Sequence, residues 1–304
     1  MRFALVETKK EFSRLILAAL LLAAPGCMVR TKKVPVAPSQ VAPAQDASLS
    51  ELITKVNAWG EAVKTMTATV DLEPTAGSVY SGVIKEYHDV KGFILMQKPS
   101  TIRILGQAPV VRTNIFDMVS DGEEFRLYIP TKHKFIIGKT DFRRPAKNAL
   151  ENLRPQHILQ ALVVPPIDAE HETTFREKND HQDQARRYYV VTVVEPQEDR
   201  HLLLRRKIWF DRADLQVARV QFYEPDGTCT EDVQYSQYQD FNEIRYPTHI
   251  EVNRPEDDYR VAITIEKATF NEPIPPEKFD LKRPEGTELV DLSAAKQEER
   301  PSGQ

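Results

Sequence analysis

From Met66 onward the chain alternates apolar and polar positions with a period of two. Met66, Ala68, Val70 and Leu72 are interleaved with Thr67, Thr69 and Asp71, the pattern of a strand with one buried face. The alternation returns in "STIRIL" (Ile102, Ile104) and "EEFRLYI" (Phe125, Leu127, Ile129). It runs again through "RYYVVTVV", "LLLRRKIWF", "LQVARVQFY", "TCTEDVQYSQY", "PTHIEV" and "YRVAITIEKATF". Asp121-Gly122 and Pro225-Asp226-Gly227 fall between apolar stretches; glycine accepts the positive φ of a tight hairpin, so neighbouring strands are predicted to be mostly antiparallel. Two segments switch to helical spacing. In "SLSELITKVNAWGEAVKTM", Ser48 and Glu51 form a capping box ahead of Leu49, Leu52, Ile53, Val56 and Val63, with Trp59 close to that stripe. Over 145–164, Leu150, Leu153, Ile158, Leu159 and Leu162 recur at mostly helical intervals, and Pro155 restarts the helix as a first-turn residue. The predicted fold is mainly β with a few helices (α+β). It is one extensively curved antiparallel sheet with helices against one face, spanning residues 48–292.

The N-terminus is of another kind. Arg2, Lys9, Lys10 and Arg14 precede ten uncharged residues, Leu15 to Ala24, and then Pro25, Gly26 and Cys27. This is a signal-peptide layout, read over residues 1–26. At about 1.5 Å per residue, ten residues reach only about half of a ~30 Å hydrocarbon core. Ala24-Pro25-Gly26-Cys27 resembles a bacterial lipobox, in which the cysteine becomes the acylated first residue of the mature protein. Ala24 stands where leucine is usual, and Pro25 is an uncommon neighbour, so ordinary cleavage stays open. The resemblance implies lipidation at Cys27 and a membrane attachment through that anchor. Each buried methylene contributes about 0.8 kcal/mol, so two or more chains hold a protein stably. Met28 in place of aspartate points, by the same resemblance, to the outer membrane. Residues 27–47 place Pro35, Pro38 and Pro43 among small residues and read as anchor and tether, reaching on the order of 60 Å when extended. The tail beyond Leu292 is polar, and 293–304 is expected to be disordered.

Charge and composition narrow the chemistry. The chain carries 41 basic and 45 acidic side chains; removing 1–26 takes away four basic and two acidic residues and moves the net charge from −4 to −6. That balance gives no footprint for nucleic acid. With Cys27 acylated, Cys229 has no partner cysteine in the chain, so no internal disulfide is expected and Cys229 reads as a small packed residue. His171 and His181, with Glu172, Asp180 and Asp183, lack the short intervals that fix a metal geometry, and read as a solvated hairpin. The eleven glycines form no phosphate loop, and no G-x-S-x-G elbow is present. Pairs such as Glu123-Glu124, Asp257-Asp258 and Glu231-Asp232 are ordinary in an acidic protein. No catalytic residue, metal or cofactor is assigned, and no enzyme is expected.

The stretch "KIWFDRADLQVARVQFYEPDGTCTEDVQYSQYQDFNEIRYPTHIEV" with "ATFNEPIPPEKFDLKRPEG" resembles the outer-membrane lipoprotein-sorting proteins of the LolA and LolB superfamily. The resemblance rests on the Asp211 turn, the Asp226-Gly227 hairpin, Tyr246-Pro247 at the start of a strand, Asn271-Glu272-Pro273-Ile274 and Phe279, with an upstream echo in "VSDGEEFRLYIPTKHKFIIGK". Together with the intervening strands this covers about two thirds of the mature chain. It implies a half-barrel of about eleven antiparallel strands whose concave face, lidded by helices, holds acyl chains. It also implies a lipid or acylated lipoprotein as partner, with a periplasmic carrier as a second. Through Cys27 the resemblance further implies a place among the anchored receptors, in the bacterial envelope and on the outer membrane facing the periplasm. No counterpart to the receptors' protruding apolar loop is assigned.

On "HLLLRRKIWF", Leu202, Leu204, Ile208 and Phe210 alternate onto one face with Arg206. Val191 and Val193, and Val261, Ile263 and Ile265, complete an apolar wall that either lines a cavity or packs on the helices. Arg206 is either an inward latch closing a lid, as arginines do in related carriers, or a side chain snorkelling to the rim. The competing function is a structural or regulatory lipoprotein that docks a protein through a sheet edge or the polar 168–186 segment.

Overall fold

A computed structural model of the chain describes residues 43–76, 85–86, 90–108, 110–140, 154–179, 186–198 and 200–292. The signal-peptide and lipidation assignments, Cys27 included, lie outside these residues, as do most of the tether, Leu150, Leu153 and the 293–304 tail.

The capping box forms as the sequence requires. The Ser48 hydroxyl accepts from Glu51 N–H, and the Glu51 carboxylate accepts from Ser48 N–H, starting helix α1 (Leu49–Ala62). Leu52 and Val56 are buried on the stripe. Helix α2 (Pro155–Leu162) begins on its proline. The strands are β1 (Thr65–Ala76), β2 (Lys85–Glu86), β3 (Val90–Gln97), β4 (Thr101–Gln107), β5 (Asn114–Ser120), β6 (Glu124–Ile129) and β7 (Lys134–Lys139). After α2 come β8 (Thr173–Asn179), β9 (Tyr188–Pro196), β10 (Leu202–Asp211), β11 (Val217–Tyr223), β12 (Cys229–Phe241), β13 (Ile244–Arg254), β14 (Tyr259–Phe270) and β15 (Glu288–Asp291).

All belong to one open sheet, ordered β15-β7-β6-β5-β4-β3-β1-β14-β13-β12-β11-β10-β9-β8, with β2 on β1. Two meanders are thus joined by the β1–β14 pair. The described sheet has more strands than the eleven of the resemblance, and β15 runs parallel to β7, an exception among neighbours predicted to be mostly antiparallel. The Pro-rich "NEPIPPEKFDLKRPEG" explains this, because it carries the chain from β14 to the far edge without a hairpin. β8 arises inside the stretch read as polar. As the last strand in the order it is exposed along most of its length, so it shows none of the alternation that betrays a half-buried strand.

The chain must travel from β7 to β8, at distant places in the sheet, and α2 lies on that connection. This helix of eight residues, about 12 Å long, touches β4, β5 and β13. Five strand intervals separate β5 from β13, about 24 Å if flat. The sheet therefore curls around the helix, an open half-barrel as expected. The two predicted hairpin glycines take positive φ, 104° at Gly122 and 86° at Gly227.

Candidate functional site

The helix-covered face carries one continuous apolar layer. Val191 and Val193 on β9, Ile208 and Phe210 on β10, and Val261, Ile263 and Ile265 on β14 are each at most 5% exposed and share a cluster with Leu52, Val56, Ile158 and Leu162 of the helices. Seven of the nine predicted wall residues therefore come together, and their surface is covered.

Leu202 and Leu204 do not join them. A β-bulge at Arg205 puts Leu204 opposite Val194 while Arg206 stands opposite Val193. Because opposed residues share a face, the extra residue reverses the alternation that the sequence projects through "LLLRRKIWF". Both leucines pass to the outer face, and Leu202 is 52% exposed.

Arg206 points inward, and the alternative of snorkelling to the rim is not what its contacts display. It donates from both terminal nitrogens to the Glu172 carboxylate, at 2.7 and 2.8 Å, and to the Pro166 carbonyl at 2.9 Å. Both side chains of the pair are nearly buried. The segment they hold, 163–172, runs from α2 to β8. From the other side Asn57 of α1 grips Ile167 at both backbone atoms, accepting from its N–H at 2.7 Å and donating to its carbonyl at 3.1 Å. Gly60 lets the segment lie close to α1: a Cβ there would stand 3.1 Å from the Val164 carbonyl. The connector is thus pinned between β10 and α1.

The C-terminal carbonyls of α2, orphaned as at every helix end, are met by the sheet. Tyr235 donates to Ala161 O at 2.9 Å and Tyr246 to Leu162 O. Burial pushes both phenols well above the usual tyrosine range, so they remain donors. Trp59 of α1 packs edge-on against Tyr235 with centroids 5.5 Å apart, and Tyr238 and Tyr246 complete the cluster. The Trp59 Nε1–H and the Arg206 Nε–H are buried without an acceptor.

At the N-terminal end of α2, His157 Nδ1 meets Tyr259 Oη at 2.9 Å. Arg254 of β13 stands opposite Tyr259 of β14. Glu231 binds Arg254 Nη1 at 2.8 Å; burial pushes its carboxyl up to about 7, with Arg254 opposing the rise. Its sequence neighbour Asp232 faces the other way and is held by Arg219, so the Glu231-Asp232 pair cannot converge. Among the described residues no group of metal-binding side chains assembles. His171 pairs with Asp168 at 2.7 Å on the surface, and His181 lies outside the described residues.

Two features escaped the sequence reading. Val110 and Val111, at the tip of the β4–β5 hairpin, are 89% and 69% exposed. Their signal was present, as adjacent valines in "GQAPVVRTN" where a turn ordinarily carries polar residues. The other is the end of the supposed tether: Gln45 N–H donates to Arg212 O at 2.7 Å, and Arg212 reaches Asp46 at 2.9 Å. The Tyr189 ring lies near both Arg176 and Arg212, at 5.0 and 4.7 Å. No helix among the described residues is long and apolar enough to cross a membrane.

A family model described as "Uncharacterized protein" matches residues 167–283. No curated protein matches the chain. Solved structures to which it is similar include a LolA superfamily protein from Nitrosomonas europaea (10% identity, 78% of this chain and 99% of that one, TM-score 0.48). Another is a putative outer membrane lipoprotein-sorting protein domain from Vibrio parahaemolyticus (12%, 76% and 95%, 0.46). A third is a DUF1329 family protein from Desulfovibrio piger (11%, 75% and 94%, 0.49).

Proposed function

We propose that the protein is an envelope lipoprotein that binds lipid or lipoprotein acyl chains on its helix-covered face and receives or passes them at the outer membrane, without catalysis. The observation that carries this reading is the way the face is closed. A continuous apolar layer lies under a connector held by a few directed polar contacts, Arg206–Glu172 and Asn57–Ile167, which can be exchanged for water when the connector lifts. Arg206 is then the latch, and Val191, Val193, Ile208, Phe210, Val261, Ile263 and Ile265 are the wall uncovered. The unused N–H groups of Trp59 and Arg206 suit the carbonyl of an ester- or amide-linked chain. Burying about eight methylenes contributes about 6 kcal/mol, offsetting much of the cost of leaving a bilayer. Lipidation of Cys27 supplies the anchor, and Val110 and Val111 provide an apolar tip for contact with the membrane surface. A periplasmic carrier is the proposed donor.

The test is native mass spectrometry of a soluble Cys27→Ser form after gentle purification, with titration by a fluorescent fatty acid. Bound lipid is expected, with weaker uptake in Ile263→Trp; a protein that is consistently empty and ignores the fatty acid refutes the reading. A second reading, docking of a protein partner, is favoured by one observation: β8 ends the sheet order with Phe175 48% exposed. A single stoichiometric envelope partner in a crosslinking pull-down, retained in Ile263→Trp, selects it.

A further inference from the structure

The side of the sheet away from the helices carries a groove. It encloses about 700 Å³ and is lined by Tyr188, Trp209, Arg219, Gln234, His249 and Glu251, among others. This volume lies within the ~300–1,000 Å³ usual for small-molecule sites. Register builds it: Trp209, Arg219, Gln234 and Glu251 stand opposite one another across β10 to β13. They alternate with the buried Ile208, Val220, Val233 and Ile250, which fix the outward row.

Most charges in the groove are already answered. Arg219 binds Asp232, with Nε 2.6 Å from Oδ1, and its guanidinium lies 5.1 Å from the Trp209 ring centroid. Glu251 accepts from Arg260 and lies 3.3 Å from His249 Nε2. What remains uncommitted among the described residues is the Gln234 amide, the Ser236 hydroxyl and one cation, Arg186, all at the groove.

We propose that this groove binds a short oligosaccharide carrying a carboxylate. Sugars present C–H faces to aromatic rings and hydroxyls to planar amides and hydroxyls, and Trp209 and Tyr188 beside Gln234 and Ser236 offer both. Arg186 supplies the partner for a single anionic substituent. The other occupants fit less well. A peptide added as a strand needs an open sheet edge, whereas β10 to β13 are each paired on both sides. An acyl chain needs an apolar trough, and this lining is largely polar. A polyanion needs many unpaired cations, and the groove leaves one.

The experiment is isothermal calorimetry of the full chain with two probes: N,N′-diacetylchitobiose, and the disaccharide of N-acetylglucosamine with N-acetylmuramic acid, which adds a lactyl carboxylate. Saturable binding is expected for both, tighter for the acidic sugar. Gln234→Leu is expected to weaken both by about tenfold, and Arg186→Gln to remove the preference for the acidic one. Trp209→Phe, which retains an aromatic ring on the folded sheet, separates loss of the groove's surface from loss of the fold. Absence of heat with both sugars, or binding unchanged in Gln234→Leu and Trp209→Phe, overturns the proposal. So does an extended peptide that displaces the sugar and binds more tightly. None of these outcomes bears on uptake of fatty acid by the opposite face.

Discussion

Replacing Arg206 by methionine keeps the aliphatic stem but removes the guanidinium. Two charge-assisted hydrogen bonds to Glu172 and one bond to Pro166 O are lost together. Glu172 is left in a setting where its side chain is only 12% exposed. Hydrogen bonds to charged groups contribute about 1.5–3 kcal/mol each, but they share one donor, and breaking a buried pair from one side costs about 3–5 kcal/mol. A loss of about 3 kcal/mol is therefore expected by urea denaturation. Removing the carboxylate as well, in Arg206→Met/Glu172→Leu, relieves the stranded charge, so the double variant is expected to be no worse than the single and to show a coupling of about 2 kcal/mol. Hydrogen exchange localises the effect: amides of 164–172 are expected to exchange faster in Arg206→Met, while central amides of β13 and β14 follow only the global change. A loss below about 1 kcal/mol, strictly additive with that of Glu172→Leu and without faster exchange in the connector, would refute the fastening role of this pair.

Glu231 makes stability depend on pH. Its folded value, pushed up to about 7 from an ordinary 4.5, means that the unfolded chain gives up this proton first. The contribution is thus fully present below about pH 4.5 and is lost as pH rises through 7, by up to about 3 kcal/mol. Glu231→Gln should flatten that part of a pH series of chemical denaturation curves. Gly122→Ala is expected to lower the melting midpoint more than Gly227→Ala, since both force a side chain to positive φ but only the first drives Cβ to 2.4 Å from the Ser100 Cβ; differential scanning calorimetry compares them. Ser48→Ala removes the cap of α1 and should cost about 1 kcal/mol in urea. Val110→Asp/Val111→Asp should leave that stability unchanged while reducing co-sedimentation with vesicles of phosphatidylethanolamine and phosphatidylglycerol.

Much of the scaffold was legible because its signals are local. The capping box at Ser48, the proline at the start of α2, and the Asp121-Gly122 and Asp226-Gly227 hairpins each depend on a few adjacent residues. Seven wall positions followed from period-two alternation alone. Leu202 and Leu204 failed because a bulge depends on the partner strand, and nothing within "LLLRRK" shows that Arg205 is the unpaired residue. Likewise Arg206 is one arginine among several until Glu172, 34 positions earlier, is brought against it. The polar composition of β8 reflects its place at an edge, which only the strand order reveals, and Trp209 joins Gln234 only through registry across three strands.

The position of β1 has a kinetic consequence. Met66 pairs with Phe270 and Leu72 with Ile263, so the seam joining the two meanders forms only after nearly the whole domain has left the ribosome. Each meander can zip locally, but the unpaired side of β1 must wait about 200 residues for its mate, and such distant closures are slow and leave sticky backbone open. A chaperone that shields the waiting side of this early strand is therefore expected to raise the yield of correctly joined protein.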